Sequence, residues 1–225
     1  MRIFVLVLFL LASCSAPRRV VSVLDEPIQS APPKKGSKGL IIIDPGHGGE
    51  DQGTKSLIKP IYLEKHLNLM TAKFLVAYLE QMGYRTLMTR IDDTFIPLKA
   101  RAEFANERHA RLFVSVHYNA APSSEAKGIE VFYYPSDKNL ERTKASKSLA
   151  AAILRHVLTL THAPSRGVKA GDFAVIRETQ MPAVLVEGGF LTNTQEFQQL
   201  KDPAYLKKVA WGIAQGIHQY VLGAS

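Results

Sequence analysis

Leu40-Ile41-Ile42-Ile43-Asp44-Pro45-Gly46-His47-Gly48-Gly49 is an apolar run that breaks into a glycine-rich turn carrying a histidine. Two further runs have the same form: Leu112 to Val116 leads to His117, and Ala183 to Val186 leads to Glu187. Short apolar runs bounded by turn residues, and separated by longer amphipathic stretches, read as buried strands of a mostly parallel twisted sheet. The fold class expected is α/β, a single domain with helices on both faces of the sheet. Open sheets of this kind bind ligands beyond the carboxyl ends of their strands. His47, His117 and Glu187 are therefore expected in one crevice, where imidazole and carboxylate together suit a zinc ion that keeps one position for water.

The stretches between the runs supply the helices. Leu67, Met70, Phe74, Leu75, Tyr78 and Leu79 have helical spacing within Glu64 to Met82, and Gly83 is a suitable stop. Tyr84 to Thr89 reads as a strand, Pro97 to Glu107 as a helix opened by proline, and Arg111 to Val116 as the strand before His117. Strands are expected at Gly128 to Tyr134, Phe173 to Ile176 and Ala183 to Val186. Helices are expected at Leu140 to Leu160, Thr194 to Leu200 and Pro203 to Leu222.

Upstream of the domain, Met1-Arg2 precedes the apolar run Ile3 to Leu11, too short to span a bilayer but of the length of a signal-peptide core. Leu11-Ala12-Ser13-Cys14 resembles the bacterial lipobox, so residues 1–14 are expected to be a signal ending at a lipidated Cys14. Cys14 is the chain's single cysteine, which excludes an internal disulfide. Residues 15–38 carry four prolines and two basic pairs and read as a flexible tether, leaving 39–225 as the catalytic domain. The expected location is the periplasmic side of a bacterial envelope, with a lipid anchor in a membrane. The formal charge of +8 suits an anionic polymer of the envelope or simple solvation. Its scattered basic residues, with no aromatic-interleaved motif, argue against nucleic acid.

Taken singly, each site residue has a bland reading. His47 could be a hydrogen-bonded turn residue, Glu64 an acid favoured at a helix start, and His117 a satisfied core histidine. Glu187 is less easily dismissed, because an unpaired charge at the end of an apolar strand costs several kcal/mol by order of magnitude.

Together, DPGHGG at 44–49, EKHLNL at 64–69, SVHYNA at 115–120 and MPAVLVEGGFLTN at 181–193 resemble the zinc-dependent N-acetylmuramoyl-L-alanine amidases. The similarity runs from Leu40 to Tyr220 and includes LMTRIDDTFIPLKARAEFANE at 87–107 and RGVK at 166–169. It implies one zinc ion held by His47, Glu64 and His117, with Glu187 as catalytic acid/base. The implied reaction is hydrolysis of the amide between the lactyl group of N-acetylmuramic acid and L-alanine of the peptidoglycan stem peptide, in wall remodelling and cell separation. Asp44 and Asn119 are candidates to orient a ligand histidine or meet substrate, although Asp44 equally suits a cap of the following turn. His66 is expected on another helix face.

Two departures bear on this. Only Ala120 to Lys127 separates SVHYNA from the next strand, which leaves little room for the inserted regulatory helix of some family members. Gly188 stands where the family often has a larger apolar residue. The rival readings are a peptidoglycan-binding lipoprotein with an inert zinc site and a metallopeptidase cutting within the stem peptide. A lesser one is a penicillin-sensitive serine carboxypeptidase with Ser56 as nucleophile and Lys59 as its activator, from an S-x-x-K pattern without companion motifs. A monomer is expected.

Overall fold

The computed structural model describes residues 38–223; the signal stretch, Cys14 and the tether up to residue 37 lie outside them. β1 (Leu40–Pro45), β2 (Arg85–Met88), β3 (Leu112–Asn119), β4 (Ile129–Tyr133), β5 (Ser165–Ala170) and β6 (Ala183–Phe190) form one sheet in the order β2-β1-β3-β6-β4-β5. All neighbours are parallel except β4 against β6, so β4 and β5 run opposite to the other four. The carboxyl ends of β1, β3 and β6 consequently meet the amino ends of β4 and β5 along one rim.

Alternation along the strands divides the core. Ile41, Ile43, Val114, Val116, Val184 and Val186 face α1 (Glu64–Gln81), α3 (Leu140–Thr161) and α6 (Pro203–Gly223). Ile42, Phe113, Ala183 and Leu185 face the opposite side, where α2 (Leu98–Glu107) and α4 (Ala174–Arg177) lie. α5 (Thr194–Leu200) connects β6 to α6. Ile41, Ile42 and Ile43 are wholly buried, which explains why this strand reads as a continuous apolar run. By the same alternation, Asp44, Ser115, His117 and Glu187 belong to the α2 side, which is the side that opens as a cleft.

The expected α/β architecture, with helices on both faces, is present. One expectation is overturned: Phe173 to Ile176 is not a strand but the helical turn α4, with Phe173 as its N-cap. Four apolar residues in a row do not distinguish a strand from a buried helical turn. The strand itself lies earlier, at β5, a half-exposed edge whose Ser-Arg-Gly-Val-Lys-Ala sequence lacks an apolar run. Gly188 also has its reason: a Cβ there would lie 2.7 Å from Cε1 of the buried Tyr118 ring, whose hydroxyl bonds Thr71 at 2.6 Å. A larger residue at 188 would displace that ring.

Candidate metal centre

β1 delivers His47 through a strained turn. His47 has φ +60°, a left-handed conformation that L-residues adopt rarely and that clusters at functional sites. Two buried guanidinium groups hold the turn. Arg101 donates to the carbonyls of Pro45 at 2.9 Å and His47 at 2.8 Å, and Arg90 to those of Pro45 at 2.9 Å and Gly46 at 2.7 Å. Both arginines lie in the 87–107 stretch, but nothing in their spacing announces that they clamp a loop 44 to 56 residues away.

Glu64 opens α1 and points back at the rim. Its Oε2 lies 3.1 Å from Nε2 of His47, and its Oε1 2.9 Å from Nδ1 of His117 in β3. The three side chains each offer one donor atom, all within 4.8 Å of one another. Two glycines make room for this approach. A Cβ on Gly46 would sit 2.1 Å from the His117 ring, and one on Gly53 would sit 2.5 Å from Glu64 Oε2. Burial opposes the charge on Glu64, yet the hydrogen bonds from His117 and His47 outweigh it and hold its pKa well below the ordinary carboxylate range. Burial likewise opposes protonation of His47, but hydrogen bonds and charge from Glu64 and Asp51 raise its pKa.

Glu187 faces this cluster from β6, in register with His117. Its Oε2 is shut off from solvent and accepts no hydrogen bond from any described residue. Burial, then the charges of Glu64 and Glu130, push its pKa well above the usual value. A carboxyl so placed is disposed to carry a proton rather than to hold a fold together.

Asp51 is a site residue the sequence did not disclose. Its Oδ2 accepts from Nδ1 of His47 at 2.8 Å, leaving Nε2 as the nitrogen toward Glu64. A carboxylate on the far ring nitrogen fixes tautomer and orientation in metal-ligating histidines. The only signal for it was position, four residues after a histidine in a tight turn.

The candidates for that orienting role, Asp44 and Asn119, do other work. Asp44 is fully buried, accepting from Arg101 Nη1 at 2.9 Å, Thr89 Oγ1 at 2.6 Å and Ser115 Oγ at 2.7 Å. Asn119 donates to Glu130 Oε1 at 2.6 Å and caps Ala120 N at 2.9 Å. His66 is exposed on α1, outside the cluster, as its helix position implied. Ser56 is 1% exposed and spends its hydroxyl inside its own loop, accepting from Tyr62 N at 2.9 Å and donating to Ile58 O at 3.2 Å. With Lys59 exposed, that pair makes a braced turn and offers no accessible nucleophile.

Around these groups runs a cleft of about 370 Å³, whose lining includes the apolar side chains of Leu98 and Phe173. A donor set of two imidazole nitrogens and one carboxylate oxygen on one side of an open cleft fits a zinc ion with a position left for water.

Comparison with known proteins places this arrangement. A family model described as N-acetylmuramoyl-L-alanine amidase matches residues 41–219. The chain is 37% identical over 192 residues to the uncharacterized protein YqiI of Bacillus subtilis (strain 168), covering 85% of this chain and 88% of that one. It is 32% identical to N-acetylmuramoyl-L-alanine amidase AmiC of Neisseria meningitidis serogroup B, covering 84% of this chain but only 54% of AmiC. The crystal structure of N-acetylmuramoyl-L-alanine amidase from Clostridium difficile 630 superposes with a TM-score of 0.78 at 38% identity, over 83% of this chain and 98% of that one.

Proposed function

The chain belongs to the N-acetylmuramoyl-L-alanine amidase family and is an amidase of the cell wall, and from that premise we propose that it acts with one zinc ion held by His47, Glu64 and His117. Glu187 is its acid/base. The observation that carries this reading is the unsatisfied Oε2 of Glu187 beside a compact His-Glu-His set. Zinc would supply Lewis acidity, polarising the lactyl carbonyl and making water a competent nucleophile near neutral pH.

The chain's own residues do the rest. Glu187 takes the proton from the attacking water and returns it to the alanine nitrogen as the C–N bond breaks, so the amine leaves neutral. Glu64 is one of the charges that hold the Glu187 pKa up, and an ion bound by Glu64 would lessen that repulsion and favour the basic form of Glu187. Asp51, bonded to Nδ1 of His47, leaves Nε2 as the nitrogen that would meet the ion. Leu98 and Phe173 give the cleft apolar surface beside these groups. The inert-site alternative has nothing in its favour at Glu187, since a wall-binding module has no use for an unpaired buried carboxyl oxygen.

The lipobox-like Leu11-Ala12-Ser13-Cys14 supports attachment of the mature chain to a membrane of the envelope through Cys14, with residues 15–38 as tether. Among the described residues no helix is long and apolar enough to cross a membrane. Release of the protein into the soluble fraction by Cys14→Ser checks the anchor, and unchanged membrane retention would reject it. The reaction is tested by mass spectrometry of peptidoglycan fragments after incubation with zinc-loaded protein and with Glu187→Ala. Intact stem peptides and unmodified glycan from the wild type alone are expected. Internally shortened peptides would replace the amidase with a peptidase.

A further inference from the structure

The row of the sheet that holds Glu187 continues into a second charged group that the reaction does not use. Glu130 on β4 is in register with Glu187 on β6, and Gly167 on β5 is in register with Glu130. Glu130 is 4% exposed, and its Oε2 receives Lys169 Nζ at 2.5 Å and Arg166 Nε at 3.0 Å. Its Oε1 receives the Asn119 amide, and Asn119 lines the cleft.

One carboxylate thus gathers two cations and an amide, and a net positive charge remains. That surplus is accessible, because the Arg166 and Lys169 side chains are 35% and 39% exposed. Glu130 is the only hydrogen-bond partner of the Lys169 ammonium among the described residues, which leaves two of its three donors for a ligand. Lys169 also lies over the Phe132 ring, which stacks edge-on with Phe173 of the cleft wall, so the cations and the cleft are continuous.

We propose that Lys169 and Arg166, braced by Glu130, form a subsite for a carboxylate on the stem peptide, one to two residues beyond the alanine whose amide is cut. Strands stand about 4.8 Å apart, so the cations reaching back to Glu130 lie roughly 5–10 Å from Glu187. An extended peptide advances about 3.4 Å per residue, so the alanine and the residue joined to it together span about 7 Å from the cut amide and reach this distance. In a peptidoglycan stem that residue is D-glutamate linked through its γ-carboxyl, and its α-group is either a free carboxylate or a carboxamide. The subsite selects the carboxylate: a charged acceptor satisfies the surplus positive charge, whereas a neutral amide does not. This rests on the amidase reading for the identity of the substrate.

Binding tests it apart from catalysis. The full chain is titrated calorimetrically with L-alanyl-D-glutamate and with L-alanyl-D-isoglutamine, the γ-carboxyl blocked as the methylamide in both. The carboxylate peptide is expected to bind about tenfold tighter, about 1.4 kcal/mol. Lys169→Met is expected to bring the two peptides within about twofold, with zinc content and the folded circular dichroism spectrum unchanged at the titration temperature, and Arg166→Met to narrow the gap independently. Equal binding of the two peptides by the wild type, binding of neither, or a preference undiminished in both variants would overturn the proposal. Failure of the wild type to release stem peptides from peptidoglycan, with this preference intact, would instead count against the amidase reading.

Discussion

At the scale of single residues, the proposed site separates groups that would hold a metal from one that would move a proton. Glu187→Gln keeps the side chain's shape and removes its basicity. Amidase kcat should fall about 10²–10⁴-fold while bound zinc, measured by atomic emission, stays at the wild-type level. Loss of zinc in that variant would show Glu187 to be a ligand. Asp51 acts at one remove, through Nδ1 of His47. Asp51→Asn is expected to weaken zinc binding about 10–100-fold in competition with a chelating dye, and an unchanged affinity would reduce Asp51 to a turn residue, since it also accepts from Gly53 N.

Elements meet at two points where one group decides the packing. The buried Asp44–Arg101 pair ties β1 to α2 at 2.9 Å. Burial alone would raise the Asp44 pKa, but Arg101, Thr89 and Ser115 outweigh it and the pKa is lowered. A depressed folded-state pKa contributes stability above the unfolded value, near 3.8, and that contribution is lost as pH falls through the folded one. Asp44→Asn should therefore cost about 3–5 kcal/mol at pH 7, by stranding the Arg101 charge. The cost should shrink below pH 4, as followed by urea unfolding across pH; a penalty independent of pH would assign it to packing. On the other face, Gly212 and Gly216 let α6 touch α3. A Cβ at Gly216 would stand 2.4 Å from the Ile153 Cα, in backbone that cannot rotate aside. Gly216→Ala is expected to destabilise by about 1–3 kcal/mol, read in the same unfolding assay, with zinc affinity untouched because the contact is on the opposite face from the cleft.

For the whole molecule, the core and the three proposed ligand residues are separate. The large cluster under α1, α3 and α6 contains none of the three ligands. Chelation should abolish cleavage while leaving the far-ultraviolet circular dichroism unchanged, and restored zinc should recover activity; unfolding on chelation would make the ion structural. Much of this was legible in the chain itself. Ile41 to Ile43, Phe113 to Val116 and Ala183 to Val186 were legible as buried strands because each is a short apolar run that ends at a turn or a polar site residue. His47, His117 and Glu187 stood out because each follows such a run, whereas Glu64 came only through the resemblance of its EKHLNL stretch to the amidase family. β5 was not legible, since an edge strand half in water has no apolar pattern to show, and α4 was misread because a four-residue apolar turn has none of a helix's period. The roles of Asp51, Asn119, Arg90 and Arg101 were also hidden. Linear order determined which residues are apolar, where the chain turns and which chemistries are present, because those follow from local side-chain character. Only the tertiary structure decided that Asp44 answers Arg101 across 57 positions, that Asp51 rather than Asn119 holds a histidine, and that Lys169 and Arg166 converge on Glu130. Hydrogen bonds and ion pairs act over about 3 Å, and which atoms come that close is set by the packing of strands and helices far apart in sequence.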